Sequence, residues 1–475
     1  MRKGSQVAWC VTIIGIAIFL AGCGGGNGGG STAYTVSGRI TRAESGQGVE
    51  GVTIAFSGGF GTATTGFDGK WSKSGLKGAV TVTPSRDGWA FSPGNGLVSG
   101  AATDVNFTGG SSGGVVFDDL RLESVVRGII SRPTGSIPVG DVAALTSLRA
   151  SDCGIRRLGG IEYLTGLEEL YLNTNQIVDI SPVAGLTSLR ILAFYENEVD
   201  DITPVAGLTN LKVLGMRNNK IPSLAPVSGL SKLEELYFED NEVQDIGPIA
   251  GLTTLKRIDL DLNEITDISP VAGLTNLELL TAYGNQIGNI NAVAGLVNLE
   301  LLHLGQNQIT TISAVAGLTR LRRLDLWRNS ITDIGPISAL TALNELYVSN
   351  NQIANIGALS GIAGLQKLSL WGNLVENIQP LVALTSLELL WLSNNAIQDI
   401  QPLVDNAGLG SDDEVDIRHN PLDLTPGSRT MQNIQALIAR GVDLRYGSDG
   451  SLQSWMDAPP LTAGFGQNMG ARGVD

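Results

Sequence analysis

Cysteine, histidine and positive charge are all scarce in this 475-residue chain. Of three cysteines, Cys10 and Cys23 lie at the extreme N-terminus, so Cys153 stands alone and an intramolecular disulfide framework is excluded. Two histidines, His303 and His419, and one further thiol offer no zinc-ligand spacing, and no carboxylate pair is placed for acid–base work. Lys and Arg number 31 against 46 Asp and Glu, a net charge of −15 that argues against nucleic acid or an anionic membrane surface and favours a basic or neutral partner. The apolar run from Val7 to Leu20 is too short for a spanning helix. What remains is 43% hydrophobic and 16% charged, enough to bury a large core over two or three domains.

Arg2 and Lys3, the run from Val7 to Leu20 and then Leu20-Ala21-Gly22-Cys23 form an export signal over residues 1–22. Leu-Ala-Gly-Cys resembles the bacterial lipobox. The resemblance implies cleavage before Cys23, its lipidation and a membrane-anchored chain; Gly24 in place of Asp implies the outer membrane of a two-membrane bacterium. The alternative is an ordinary secretory signal followed by a chance cysteine. Loss of Arg2 and Lys3 takes the charge from −15 to −17.

Residues 23–33, in which Gly24 to Ser31 is almost all Gly, suit a flexible Gly-rich tether. Over 34–109, short alternating segments (Tyr34-Val36, Val52-Phe56, Val80-Val82, Val105-Phe107) separated by turns such as Asp68-Gly69 predict a small antiparallel β-sandwich. The stretches Ser37-Gly38-Arg39-Ile40, Gly48-Val49-Glu50-Gly51-Val52 and Thr65-Gly66-Phe67-Asp68-Gly69 resemble the carboxypeptidase-regulatory-like (transthyretin-like) sandwich, which implies an accessory stalk. A Gly/Ser linker (110–115) leads to an N-terminal cap (116–144) with helical spacing of Leu120, Val125 and Ile129.

Asparagine then recurs every 22 residues, from Asn175 to Asn395, eleven times in register. Around each runs L-x-x-L-x-L-x-x-N-x-I-x-x-I, as in Leu255, Ile258, Leu260, Asn263, Ile265 and Ile268. One such unit cannot bury its own Leu/Ile set, so coils must stack into a solenoid over 145–424, closed by a cap at 425–447 and followed by a tail at 448–475. The fold class expected is mainly β with short helical caps. Each buried Asn is placed to satisfy the backbone of adjacent coils, with Cys153 standing one period before Asn175 as a ladder member. The I-x-D-I-x-P-V-A-G return, as in Ile265 to Gly273, resembles internalin-like leucine-rich repeats of bacterial surface proteins. Departures are Ser223 and Thr311 for the Asp, and Ala292 and Ala314 for the Pro. The Asp column (Asp179, Asp201, Asp245, Asp267, Asp333, Asp399) is expected to cap backbone N–H groups in the turn rather than bind metal.

Strand side chains alternate, so residues two and four before each Asn face the concave side. Tyr195, Tyr283, Trp327 and Trp371 occupy the first column; Tyr171, Tyr237, His303, Tyr347 and Trp391 occupy the second. These columns hold eight of the chain's fifteen Tyr and Trp. Core packing does not need aromatics there, so their concentration predicts a recognition surface, the alternative being strand propensity and cross-strand pairing. Arg217, Glu239, Arg257, Asp259, Asp261, Asp325 and Arg328 give it a mixed-sign middle. At ~4.8 Å per strand, twelve coils span roughly 55 Å, enough to cradle a folded domain.

Gly46-Gln47-Gly48-Val49-Glu50-Gly51 fits a dinucleotide fingerprint but leads into a strand, and Gly109-Gly110-Ser111-Ser112-Gly113 spells a nucleophile elbow inside a linker, so no catalysis and no cofactor are expected. The reading is a monomeric, lipid-anchored envelope protein that binds a protein ligand in adhesion or surface recognition. A glycan-binding protein and a structural envelope protein without a ligand are the rival readings.

Overall fold

A computed structural model describes residues 32–43 and 45–447. The leader, Cys23, most of the tether and the tail lie outside the described residues. The chain divides into two compact units, residues up to Ser85 with Phe91–Thr108, and Arg86–Ala90 with Gly109 onward.

The N-terminal part of the chain forms eight strands: β1 (Tyr34–Arg42), β2 (Thr53–Phe56), β3 (Thr62–Thr64), β4 (Lys70–Leu76), β5 (Val80–Ser85), β6 (Trp89–Ser92), β7 (Gly96–Val98) and β8 (Phe107–Ser111). They form two four-stranded sheets, β4-β1-β8-β6 and β3-β2-β5-β7. Alternation along β1, β2 and β5 buries every second residue, among them Val36, Ile40, Ile54 and Val82. Phe56 of one sheet meets Trp71 of the other at 5.8 Å between ring centroids.

In the second unit, α1 (Leu120–Ile129) and α2 (Val139–Ala143) precede the coils. The helix expected from Leu120, Val125 and Ile129 is present, but Leu120 and Ile129 face solvent and the buried side is Leu122 and Val126. Asp119 caps α1 by accepting the Arg121 N–H, and that anchoring sets which face turns inward.

From β9 (Ser147–Arg149) to β22 (Asp443–Arg445), fourteen three-residue strands pair in parallel in strict sequence order. The register is one period per coil: Leu170 meets Leu192, and Leu236 meets Ile258. Their side chains, with the Leu, Ile and Val of the returns, make one continuous core running from Val115 to Val442. The C-terminal end is covered by α3 (Gln401–Asp405) and α4 (Arg429–Ala439), the latter capped by Ser428.

The asparagines perform the bookkeeping that a stack of turns requires. Asn263 Nδ2 donates to Phe238 O, one coil earlier, at 2.8 Å, and to Leu260 O and Asp261 O of its own coil, while its Oδ1 accepts the Val243 N–H at 2.9 Å. The pattern holds from Asn175 to Asn395 and is repeated by Asn420 after a longer final coil. Cys153 occupies the first rung: its N–H donates to Asn175 Oδ1 and its thiol to Ser151 O. The Asp column caps the return as expected, Asp245 Oδ1 accepting the Gly247 N–H at 2.7 Å and Asp267 Oδ1 the Ser269 N–H at 2.8 Å. Ser223 serves in the same place through its hydroxyl, which accepts the Ala225 N–H.

Candidate functional site

Along β13 (Glu235–Tyr237), Leu236 points into the core, and Glu235 and Tyr237 point to the concave side with Glu239 beyond them. Repetition of this pattern generates the face. All eleven candidate residues lie on it, but they are not equally accessible. Tyr171, Tyr237, Asp259, Tyr283 and His303 are buried, whereas Tyr195, Arg217, Trp327, Tyr347, Trp371 and Trp391 are half-buried. The cause is spacing. Strands ~4.8 Å apart lie closer together than the reach of an aromatic side chain, so rings fold onto neighbouring coils unless the neighbour is large.

In the N-terminal part of the face, cations interleave with rings. The Arg149 guanidinium lies 4.1 Å from the Tyr171 centroid, and Arg217 lies between Tyr195 and Tyr237 at 5.8 and 5.3 Å. Arg217 also pairs with Asp259 and, at 3.4 Å, with Glu239, and the Thr281 hydroxyl donates to Asp259. Tyr195 lies flat over Gly215, and its buried hydroxyl has no hydrogen-bond partner. Burial pushes the Tyr195 and Tyr237 hydroxyls above the ordinary tyrosine range; for Tyr237 the hydrogen bond to Glu235 adds to this.

The glycine is what seats the Tyr195 ring, because a Cβ at residue 215 would stand 2.2 Å from Tyr195 Cε1. Gly215→Ala should therefore lower stability by about 2 kcal/mol through overpacking. The same substitution in a Tyr195→Ala background should be close to neutral, and urea denaturation of the four proteins measures the difference. A cost independent of Tyr195 would refute this account.

At the centre, Tyr283 stacks on His303 at 5.2 Å and on Trp327 at 5.5 Å, with interplanar angles of 16° in both pairs. Trp327 is seated over Gly305, as Tyr195 is over Gly215, and Arg328 lies 4.7 Å from its ring. Next to the stack is a buried titratable row. His303 Nδ1 is 3.8 Å from Asp261 Oδ2, and His303 Nε2 is 3.7 Å from Asp325 Oδ2. Desolvation brings His303 down to about 3 and takes Asp325 up to about 7, outweighing Arg323 at 3.8 Å; desolvation and then the Asp259 charge push Asp261 well above the carboxylate range.

The C-terminal part differs. Large and small residues alternate in both columns: Tyr347, Ser369 and Trp391 in one, Ser349, Trp371 and Ser393 in the other. Tyr347 donates to Glu345 and Trp391 Nε1 to Glu414. Trp371 has neither a ring partner nor a hydrogen bond through its indole N–H among the described residues. Columns of aromatics were legible in the sequence, but the seating role of Gly215 and Gly305 was missed; its signal is a glycine at a position the other coils fill with side chains. Among the described residues no three His, Cys, Asp or Glu side chains gather as a metal-holding group, and no helix is long and apolar enough to cross a membrane.

Two family models match within the coils: Leucine Rich repeats (2 copies) at 231–273, 319–361 and 364–405, and Leucine rich repeat at 290–331. An internalin of Listeria monocytogenes (inlF) shares 29% identity, covering 71% of this chain and 96% of its own, with a TM-score of 0.65. The chain is an internalin-like leucine-rich-repeat protein. The functional domain of InlJ from the same organism, at 22% identity, has the same fold over 68% of this chain and 78% of its own (TM-score 0.54). So does the plant peptide hormone receptor RGFR1, at 18% identity over 65% of this chain and 58% of its own (TM-score 0.52). Both matching family models describe the repeat itself, and the internalin-like coils carry the whole candidate face.

Proposed function

We propose that this internalin-like solenoid binds a protein partner through its concave face, held to a bacterial envelope by a lipid on Cys23 and serving adhesion or surface recognition. The observation that carries the reading is the C-terminal part of the face. Tyr347, Trp371 and Trp391 are half-exposed among Ser349, Ser369 and Ser393, where neither the core nor the ladder uses them. Large rigid rings surrounded by small polar neighbours are the composition of interface anchors. Support at the level of fold comes from RGFR1, whose structure is a complex with RGF2. The leader and the Leu20-Ala21-Gly22-Cys23 motif support the anchor, and residues 34–109 are assigned to a spacing β-sandwich.

The open Trp371 indole flanked by serine hydroxyls also favours a glycan, because a sugar ring can stack on it. One experiment separates the readings. The protein and its Tyr347→Ala/Trp371→Ala/Trp391→Ala variant are immobilised and exposed to envelope and host-surface extracts. A protein retained by the parent and reduced at least tenfold on a variant with an unchanged urea midpoint is the expected result. Release of that binding by soluble glycan would transfer the site to sugars, and equal retention by both proteins would refute the concave face.

A further inference from the structure

Three consecutive coils, those of Asn219, Asn241 and Asn263, place Arg217 and Arg257 on the concave side against four carboxylates: Glu235, Glu239, Asp259 and Asp261. Arg217 is committed to Asp259 and Glu239. Asp261 is left over. It is fully buried, its Oδ1 accepts the Tyr283 N–H at 2.7 Å, and its Oδ2 has no hydrogen-bond partner. The backbone does not require a carboxyl there. Four coils earlier Asn173 occupies the same column and makes the same bond, its Oδ1 accepting the Tyr195 N–H at 2.9 Å. A neutral amide suffices for the fold, and a carboxylate has been placed where an amide would do.

Burial and the Asp259 charge keep a proton on Asp261 in the free protein; a cation arriving beside it favours the ionised form, and the proton leaves to solvent as the pair forms. His303 does not fill that role. Its Nδ1 stands 3.8 Å away, beyond hydrogen-bond length, and burial disfavours its protonated form. The surrounding charges also select the sign of a visitor, since Glu239, one coil earlier in the column of Asp261, is half-buried and acidic.

We infer that the partner presents an Arg or Lys side chain to this part of the concave face, where its cationic head pairs with Glu239 and Asp261. The inference rests on the concave-face reading and assigns the partner's chemistry: a protein segment with a protruding basic residue. Because Asp261 is covered in the free protein, entry displaces covering side chains. Its column neighbour Tyr283 stacks on Trp327, so tryptophan fluorescence reports the event.

The test titrates the protein with capped hexa-arginine and with hexa-citrulline, its neutral isostere, at roughly 0.15 M salt, so that distant charges are screened. Binding is read by tryptophan fluorescence and calorimetry. Glu239→Gln/Asp261→Asn is compared with Glu242→Gln/Glu264→Gln, which removes the same charge from exposed positions outside the columns. Expected are hexa-arginine binding by the parent, none of hexa-citrulline, a loss of tenfold or more in the first variant and less than twofold in the second. Equal weakening in both variants, unchanged binding in the first, or no binding by the parent overturns the inference. The capture experiment with the aromatic triple variant keeps the two claims apart. If that variant loses the captured protein while Glu239→Gln/Asp261→Asn retains it fully, only the cation fails; if the aromatic variant retains it, the concave-face reading fails.

Discussion

Asn263→Ala is expected to lower stability by roughly 3 to 5 kcal/mol, among the largest effects of any single polar substitution in the coils. The side chain makes four bonds to backbone groups, three as donor and one as acceptor, and it is buried. Alanine removes the Leu260 and Asp261 carbonyl partners within its own coil, and the Phe238 carbonyl and Val243 N–H partners in the coil before. Each orphaned buried group costs about 1 to 3 kcal/mol, moderated where water or a second acceptor bond relieves it. Asn263→Asp should be at least as damaging, because the acceptor for Val243 survives but a carboxylate then confronts three carbonyl oxygens. Stability in a solenoid is a sum over coils and their interfaces, so damage midway should split urea unfolding into two transitions of smaller slope. A single transition with an unchanged midpoint would remove the ladder from any account of stability.

That ladder was fully legible in the sequence because its signal is positional. A 22-residue period with Asn in register specifies coil, core and turn together, and the observed strand register is one period per coil. The candidate face was legible as a list of residues and not as a surface. Alternation says which side Tyr237 and Tyr283 take, but nothing in a single coil says that the neighbouring coil will cover them. Burial there is decided by pairs in adjacent coils, such as Tyr195 over Gly215, 20 residues apart, and Trp327 over Gly305, 22 apart, in which the smaller member determines where the larger one lies. The cap helix shows the same limit. Leu122 and Val126 are buried in place of Leu120 and Ile129 because the Asp119 cap and the first coil fix the rotation of α1, and neither is encoded in its own periodicity.

Asp325→Asn should stabilise the protein at pH 8 and leave it almost unchanged at pH 4. The carboxyl is buried, and desolvation raises it from an ordinary value of 3.8 to about 7 in the folded chain. Between those values the folded protein keeps a proton that the unfolded chain releases, so this group's contribution to stability falls as pH rises through the window and is fully lost above it. At about 1.4 kcal/mol per unit the ceiling is about 4 kcal/mol, and a gain of roughly 2 kcal/mol is expected because the buried asparagine amide carries a desolvation cost of its own. Asparagine preserves the shape and the acceptor for the Trp327 N–H. His303 acts with the opposite sign. Held down at about 3 in the fold, it binds a proton on unfolding below its ordinary value of 6.5, so stability falls as pH drops through that range. The two slopes oppose each other in the parent between about pH 4 and 6.5. In Asp325→Asn the histidine slope is opposed by Asp261 and no longer by Asp325, so its urea midpoint should climb more steeply than the parent's from pH 4 to pH 6.5. A midpoint difference from the parent that is the same at pH 4 and pH 8 would show that Asp325 ionises normally despite its burial and adds its own charge to the concave centre.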